Sequence, residues 1–177
     1  MSRIVVGSTL RKHSEFRPGD VVLMQTKGLV GKAIRIAQRR LLEHRYAHWN
    51  HVGILHEQVG RDWTVIQAQP RGITDDGLLS EMAGDNYEII ALPSYIHPSD
   101  VLAFAKAQVG KQYGFASVLS AALDMVLPRQ VCLRKADTWI CSGLVMAALW
   151  YAGLPASLHI DDLYSITPAE IANILGT

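Results

Sequence analysis

The 177-residue chain is 49% hydrophobic and 19% charged, with a formal net charge of +1. That is material for one domain, residues 1–177, and it excludes a mostly disordered chain. Near-neutral charge argues against a dedicated nucleic-acid binder, and two cysteines, Cys132 and Cys141, are too few for a disulfide-stapled secreted fold. The first residues hold only the short apolar stretch Ile4-Val5-Val6, so no secretory signal is read there. The most apolar window, 143–155, is shorter than the ~20 residues a bilayer span needs. A cytoplasmic protein is the simplest expectation, although a phage-encoded or released one would have the same features.

Residues 18–25 form a Pro-Gly-Asp turn leading into a short apolar run, the pattern of a buried strand. Val30, Ala33, Ile34, Ala37 and Leu41 then fall on one helical stripe, with Lys32, Arg35, Arg39 and Arg40 on the other side. Residues 27–45 carry six Lys/Arg against Glu43, so this segment is +5 while the rest of the chain sums to −4. A solvated helix face accounts for such a run. The sharper alternative is a docking surface for an anionic partner such as lipid headgroups or a cell-wall polymer.

Residues 51–56 and 63–69 have the pattern of a β-hairpin with Gly60-Arg61-Asp62 in its turn. The stretch 72–86, with Asp75-Asp76-Gly77, is expected to be a rim loop or a surface connection. A further strand is expected at 87–92, closed by Pro93. Ser99 or Asp100 is a candidate cap for a helix to about Val109, with Gly110 after its end. Residues 115–126 are expected to be helical and to stop before Pro128. The last strong helix starts near Cys141 and stops at Gly153-Leu154-Pro155. Thr167-Pro168-Ala169-Glu170 has capping-box spacing with Pro at the first helical position. The order fits an α+β fold, a small mostly antiparallel sheet with helices packed on it.

Cys141 stands in Trp139-Ile140-Cys141-Ser142-Gly143, where a non-helical stretch meets a helix. Unpaired N–H groups and the macrodipole at a helix start favour the thiolate over the thiol. They also supply donors for a developing oxyanion. Cys132 has no such context. A nucleophilic thiol needs a base, and His51 opens the apolar strand His51-Val52-Gly53-Ile54 behind the polar pair Trp49-Asn50. Gly53 allows another backbone to approach closely. His13, His97 and His159 lie in polar, turn-like contexts. The hairpin brings Gln67 and Gln69 back towards His51 on one sheet face, and either amide oxygen is able to accept an imidazole N–H.

The motif order Pro18-Gly19-Asp20-Val21-Val22, His51-Val52-Gly53-Ile54, Val65-Ile66-Gln67-Ala68, Val109-Gly110-Lys111-Gln112-Tyr113-Gly114-Phe115 and Ile140-Cys141-Ser142-Gly143-Leu144-Val145 resembles a known family. It is that of the circularly permuted NlpC-type papain-like cysteine hydrolases, the YiiX/YebB-like group, and the likeness spans about residues 16–172. The resemblance implies a papain-like, circularly permuted α+β fold. It also implies Cys141 as nucleophile, His51 as base and a polar orienting residue at Gln67, where relatives often carry Glu. Tyr113 matches a family tyrosine lining the site, and Gln69 is a further candidate for binding substrate. Asp20 matches a structural turn.

The resulting expectation is a thiol hydrolase acting on an amide or ester, such as a cell-wall peptide or related acyl substrate, through a thioester and without a cofactor. An acyltransferase or lipid-ester hydrolase of the same fold is the near alternative, and a non-catalytic binding module a more distant one. A third is a metal site, since His44, His48 and His51 are spaced by four and three, although no HExxH pattern accompanies them.

Overall fold

The computed structural model describes residues 15–26, 46–84, 86–114, 138–155 and 166–175. It is α+β. Five strands, β1 (Val21–Met24), β2 (His51–Val59), β3 (Asp62–Gln69), β4 (Gly72–Leu78) and β5 (Tyr87–Ile90), form one sheet in the order β4-β3-β2-β1-β5. Every pairing in it is antiparallel. Among the described residues four helices accompany it: α1 (Leu79–Ala83), α2 (Pro98–Lys106), α3 (Cys141–Tyr151) and α4 (Pro168–Leu175). A second, two-stranded sheet pairs β6 (Gln112–Tyr113) with β7 (Thr138–Trp139) in parallel. The basic segment 27–45, the expected helix at 115–126 and Cys132 lie outside the described residues.

Strand periodicity divides the apolar side chains between two layers. Val21, Leu23, Val52, Ile54, Ile66 and Ala68 share a core with α2, α3 and α4. Val22, Met24, Leu55, Val65 and Ile89 join Phe16, Leu79 and Tyr87 on the opposite face. With both faces covered, β1 reads as the unbroken apolar run Val-Val-Leu-Met, and all four residues are buried. Residues 141–149 of α3 are also all buried, so this helix is the central pillar of the first layer.

Among the described residues, the strands and helices expected outside 72–86 are recovered with shifted limits, for local reasons. The hairpin turn is tighter than expected, because Asp62 already pairs with Val59. The α2 helix has His97, not Ser99 or Asp100, at its N-cap position, without a side-chain cap bond, and Pro98 opens it. It ends at Lys106, before the turn at 107–110. The fifth strand closes at Ile90 rather than residue 92.

The clear correction concerns residues 72–86, expected as a loop or connection. They supply strand β4 and helix α1. β4 pairs with β3, while Ile73 exchanges backbone hydrogen bonds with Gly110 and Lys111. These long-range pairings outweigh the turn-forming tendency of Asp75-Asp76-Gly77. The acidic residues sit on a sheet edge, where charge discourages strand addition.

The capping box at α4 forms as expected. Glu170 N–H donates to Thr167 Oγ1 at 3.2 Å, and Thr167 N–H donates to Glu170 Oε2 at 2.7 Å. Ser142 Oγ donates to the Ile166 carbonyl at 2.5 Å, fastening the start of α3 to the segment that leads into α4. Asp20 closes its own turn by accepting from Arg17 N–H at 2.9 Å, in keeping with a structural role.

Candidate active site

The β2 strand begins at His51 and the α3 helix at Cys141, so two sequence-distant residues meet where strand and helix start. Asn50 fixes the strand end. Its Oδ1 accepts from Thr26 N–H at 2.8 Å and its Nδ2 donates to Thr26 O at 2.9 Å. The cap of α3, Ile140, has no side chain to bond the first-turn amides. Those N–H groups are not used by the helix itself. The amide of Ser142 instead donates to the Cys141 sulfur, joined there by the Val52 amide from β2 and by the His51 ring.

The His51 ring is held on its other side by Gln67, with His51 Nε2 2.6 Å from Gln67 Oε1. An amide oxygen only accepts, so Nε2 carries the hydrogen. In the neutral ring Nδ1 is then the nitrogen with a lone pair for the thiol proton. Between the two candidate amides, the register selects Gln67. Gln69 lies at the β3–β4 turn, where its amide is 3.1 Å from Thr74 Oγ1. With its oxygen facing Arg71 Nε and Thr74, all three groups are satisfied. Gln69 thus belongs to the turn, and the imidazole partner is Gln67.

Gly53 makes this packing possible. A Cβ there would stand 2.5 Å from Val65 Cγ1 and 3.5 Å from Gln67 Cβ. Any larger residue would push β3, and Gln67 with it, out of place.

The electrostatics of the pair run in opposite directions. Burial opposes ionisation of Cys141, but the adjacent His51 and the Val52 and Ser142 amides outweigh it, and the thiol pKa falls below its ordinary value. Burial likewise opposes protonation of His51. The charge and hydrogen bond of Cys141, with help from Gln67, prevail and hold the imidazole above its ordinary range. Together these shifts favour a thiolate–imidazolium pair.

Tyr113 reaches this neighbourhood through the small parallel sheet. It pairs with Trp139, two residues before Cys141, and Gly114 N–H donates to Trp139 O at 2.9 Å. Burial and the nearby Cys141 charge push the Tyr113 phenol well above its ordinary value, so it remains protonated.

The metal alternative has no support in this geometry. His51 is engaged with Cys141 and Gln67, and His48 stacks on Trp49 with ring centres 4.3 Å apart. His44 lies outside the described residues, and among those described no group of three or more His, Cys, Asp or Glu is placed to hold an ion.

Sequence reasoning missed two contributors. The Val52 amide belongs to the backbone and leaves no signature. Met82, to which the Gln67 Nε2 donates, stands in the 72–86 stretch expected to be a loop or surface connection. Compared with known proteins, the chain matches no family model and no curated protein. Among the described residues, no helix is long and apolar enough to cross a membrane.

Proposed function

We propose that the chain is a cysteine hydrolase that cleaves an amide or ester bond through a thioester. One observation carries the reading: His51 bridges Cys141 and Gln67 at the start of a buried helix. A histidine held by a second polar group beside a thiol is the arrangement that nucleophilic catalysis requires. The fold that goes with this reading is papain-like and circularly permuted, with the histidine strand β2 preceding the nucleophile helix α3. A sheet packed against a buried helix that begins at the cysteine supports it.

In the proposed reaction the Cys141 thiolate attacks the substrate carbonyl carbon, forming a C–S bond and moving the carbonyl electron pair onto oxygen. The Cys141 backbone N–H, at the helix start, is the donor for that oxyanion. The His51 imidazolium gives its proton to the departing amine or alcohol as the carbon–nitrogen or carbon–oxygen bond breaks. The neutral ring next takes a proton from water, and the resulting hydroxide attacks the thioester. Collapse releases the acid and restores the thiolate and imidazolium. An alcohol or amine in place of water gives acyl transfer by the same steps. The anionic-surface role of Lys32, Arg35, Arg39 and Arg40 remains part of the proposal, suited to a peptide, amide or lipid-ester substrate at such a surface.

The test is alkylation by iodoacetamide at neutral pH, read by mass spectrometry of the two cysteine peptides. Cys141 is expected to react faster than Cys132, and His51→Ala to slow Cys141 alone. Equal rates that ignore His51→Ala would overturn the reading.

A further inference from the structure

The orientation of the Gln67 amide has its own support. Reversing the amide would place its NH₂ against His51 Nε2 and its oxygen against Met82 Sδ, leaving two acceptors face to face. The neutral ring would then carry its proton on Nδ1, the nitrogen facing the thiol, and lose its function as a base. A thioether sulfur accepts but never donates, so Met82 distinguishes the two ends of the amide.

The opposite strand bears on the same point. A Cβ at Gly77 on β4 would stand 2.8 Å from Gln67 Nε2 and 2.9 Å from Met82 Sδ. Gly77 therefore leaves room for the amide–thioether contact, and its conformation does not itself require glycine. Gln67 is almost fully buried, at 2% exposure, so water offers its NH₂ little replacement for the sulfur.

We propose that Met82 is a positioning residue: by accepting from Gln67 Nε2 it fixes which end of the amide faces His51, and so which ring nitrogen serves as the base. The inference rests on the proposed nucleophile–base pair and adds a third layer to it, Cys141–His51–Gln67–Met82. It explains how a neutral glutamine orients the ring without the symmetry of a carboxylate. A glutamate at this position presents an acceptor from either oxygen and needs no outside group to orient it.

That difference supplies the test. The full chain is alkylated with iodoacetamide across pH, and the rate at Cys141 is followed by mass spectrometry. Met82→Leu, close in size but without the acceptor, is expected to slow Cys141 about three- to tenfold at neutral pH, the scale of one modest hydrogen bond. It is also expected to move the acid limb of the profile to higher pH, because the imidazolium that stabilises the thiolate loses its fixed acceptor. Gly77→Ala reaches the same amide from β4 and is expected to reproduce the shift with Met82 in place, a check that stands even where Met82→Leu fails to fold. In the Gln67→Glu chain, Met82→Leu is expected to cause no further loss.

An unmoved profile in both Met82→Leu and Gly77→Ala overturns the proposal. Equal losses from Met82→Leu in the unmodified chain and in the Gln67→Glu chain overturn it too, since they mark packing alone. If Cys141 is no faster than Cys132 in the unmodified chain, the failure belongs to the underlying nucleophile–base reading.

Discussion

Two histidines on β2 lie five residues apart and live in different chemical environments. His51, at the strand start, is half-buried and held between Cys141 and Gln67. His56 is more deeply buried, yet among the described residues neither ring nitrogen makes a hydrogen bond. Glu57 Oε1 comes within 3.2 Å of its Nε2 but without the alignment of a bond, and Glu57 itself is largely exposed. The contrast shows that burial alone does not give a histidine partners. What separates the two is position: His51 stands at the strand end, where a helix start and a second strand converge. His56 sits beside the register shift between Leu55 and Gln58, where the ladder offers it nothing regular.

The sharpest way to break the comparison is to remove each ring in turn. His51→Ala is expected to slow both Cys141 alkylation and substrate turnover by at least about 100-fold at neutral pH, the usual scale for a lost base. His56→Ala is expected to leave the alkylation rate within about twofold. Comparable losses from both substitutions would end the distinction.

Next in size is the orienting amide. Gln67→Ala is expected to lower the Cys141 alkylation rate about tenfold, since the ring keeps the thiol but loses the acceptor that fixes its tautomer. Gln67→Glu places a carboxylate against Nε2 and is expected to hold the imidazolium to higher pH. The alkylation profile measures both. An alanine variant that matched the unmodified chain would reduce the site to a dyad.

The pH profile of the unmodified chain separates the two cysteines. The His51 charge and the Val52 and Ser142 amides lower the folded thiol pKa of Cys141 despite its burial. Its thiolate therefore persists as pH falls below the ordinary thiol range and is lost only on further acidification. Cys141 alkylation is accordingly expected to show an acid limb at lower pH than that of Cys132, and His51→Ala is expected to bring the two limbs together.

These residues also show what a sequence discloses. The hairpin, the start of α3 and the α4 capping box were legible because each is written in a few adjacent residues. Cys141 and His51 were legible because each opens an element, where backbone groups are still unpaired and a polar or reactive side chain stands out from the apolar run behind it. Hairpin geometry alone left Gln67 and Gln69 both open and only the family resemblance pointed to Gln67, because the choice depends on a register containing a shift between Val65 and Gln67 on the β4 side. β4 itself was hidden, since its residues carry turn-like acids and its strand exists through pairing with β3 and with residues 110–111. Met82 and Gly77 were hidden for the same reason: they gain meaning only where β4 and α1 close over Gln67.

The smallest effect expected from the two rings is on stability, and it has opposite signs. His56→Leu replaces a buried ring lacking hydrogen bonds with an apolar side chain of similar bulk. The desolvated nitrogens disappear and no partner is left unsatisfied, so the change is expected to be neutral or stabilising by up to about 1 kcal/mol. For a domain of this size that is a rise of roughly 2–4 °C in Tm. His51→Leu removes a ring of the same bulk but leaves the Gln67 oxygen and the Cys141 sulfur without their shared partner. An unmet buried acceptor costs about 1–3 kcal/mol, so this variant is expected to melt several degrees lower. Thermal denaturation of the two leucine variants side by side decides the matter. Equal shifts in the same direction would mean that β2 treats both rings as filler, and the partners of His51 contribute nothing to holding it.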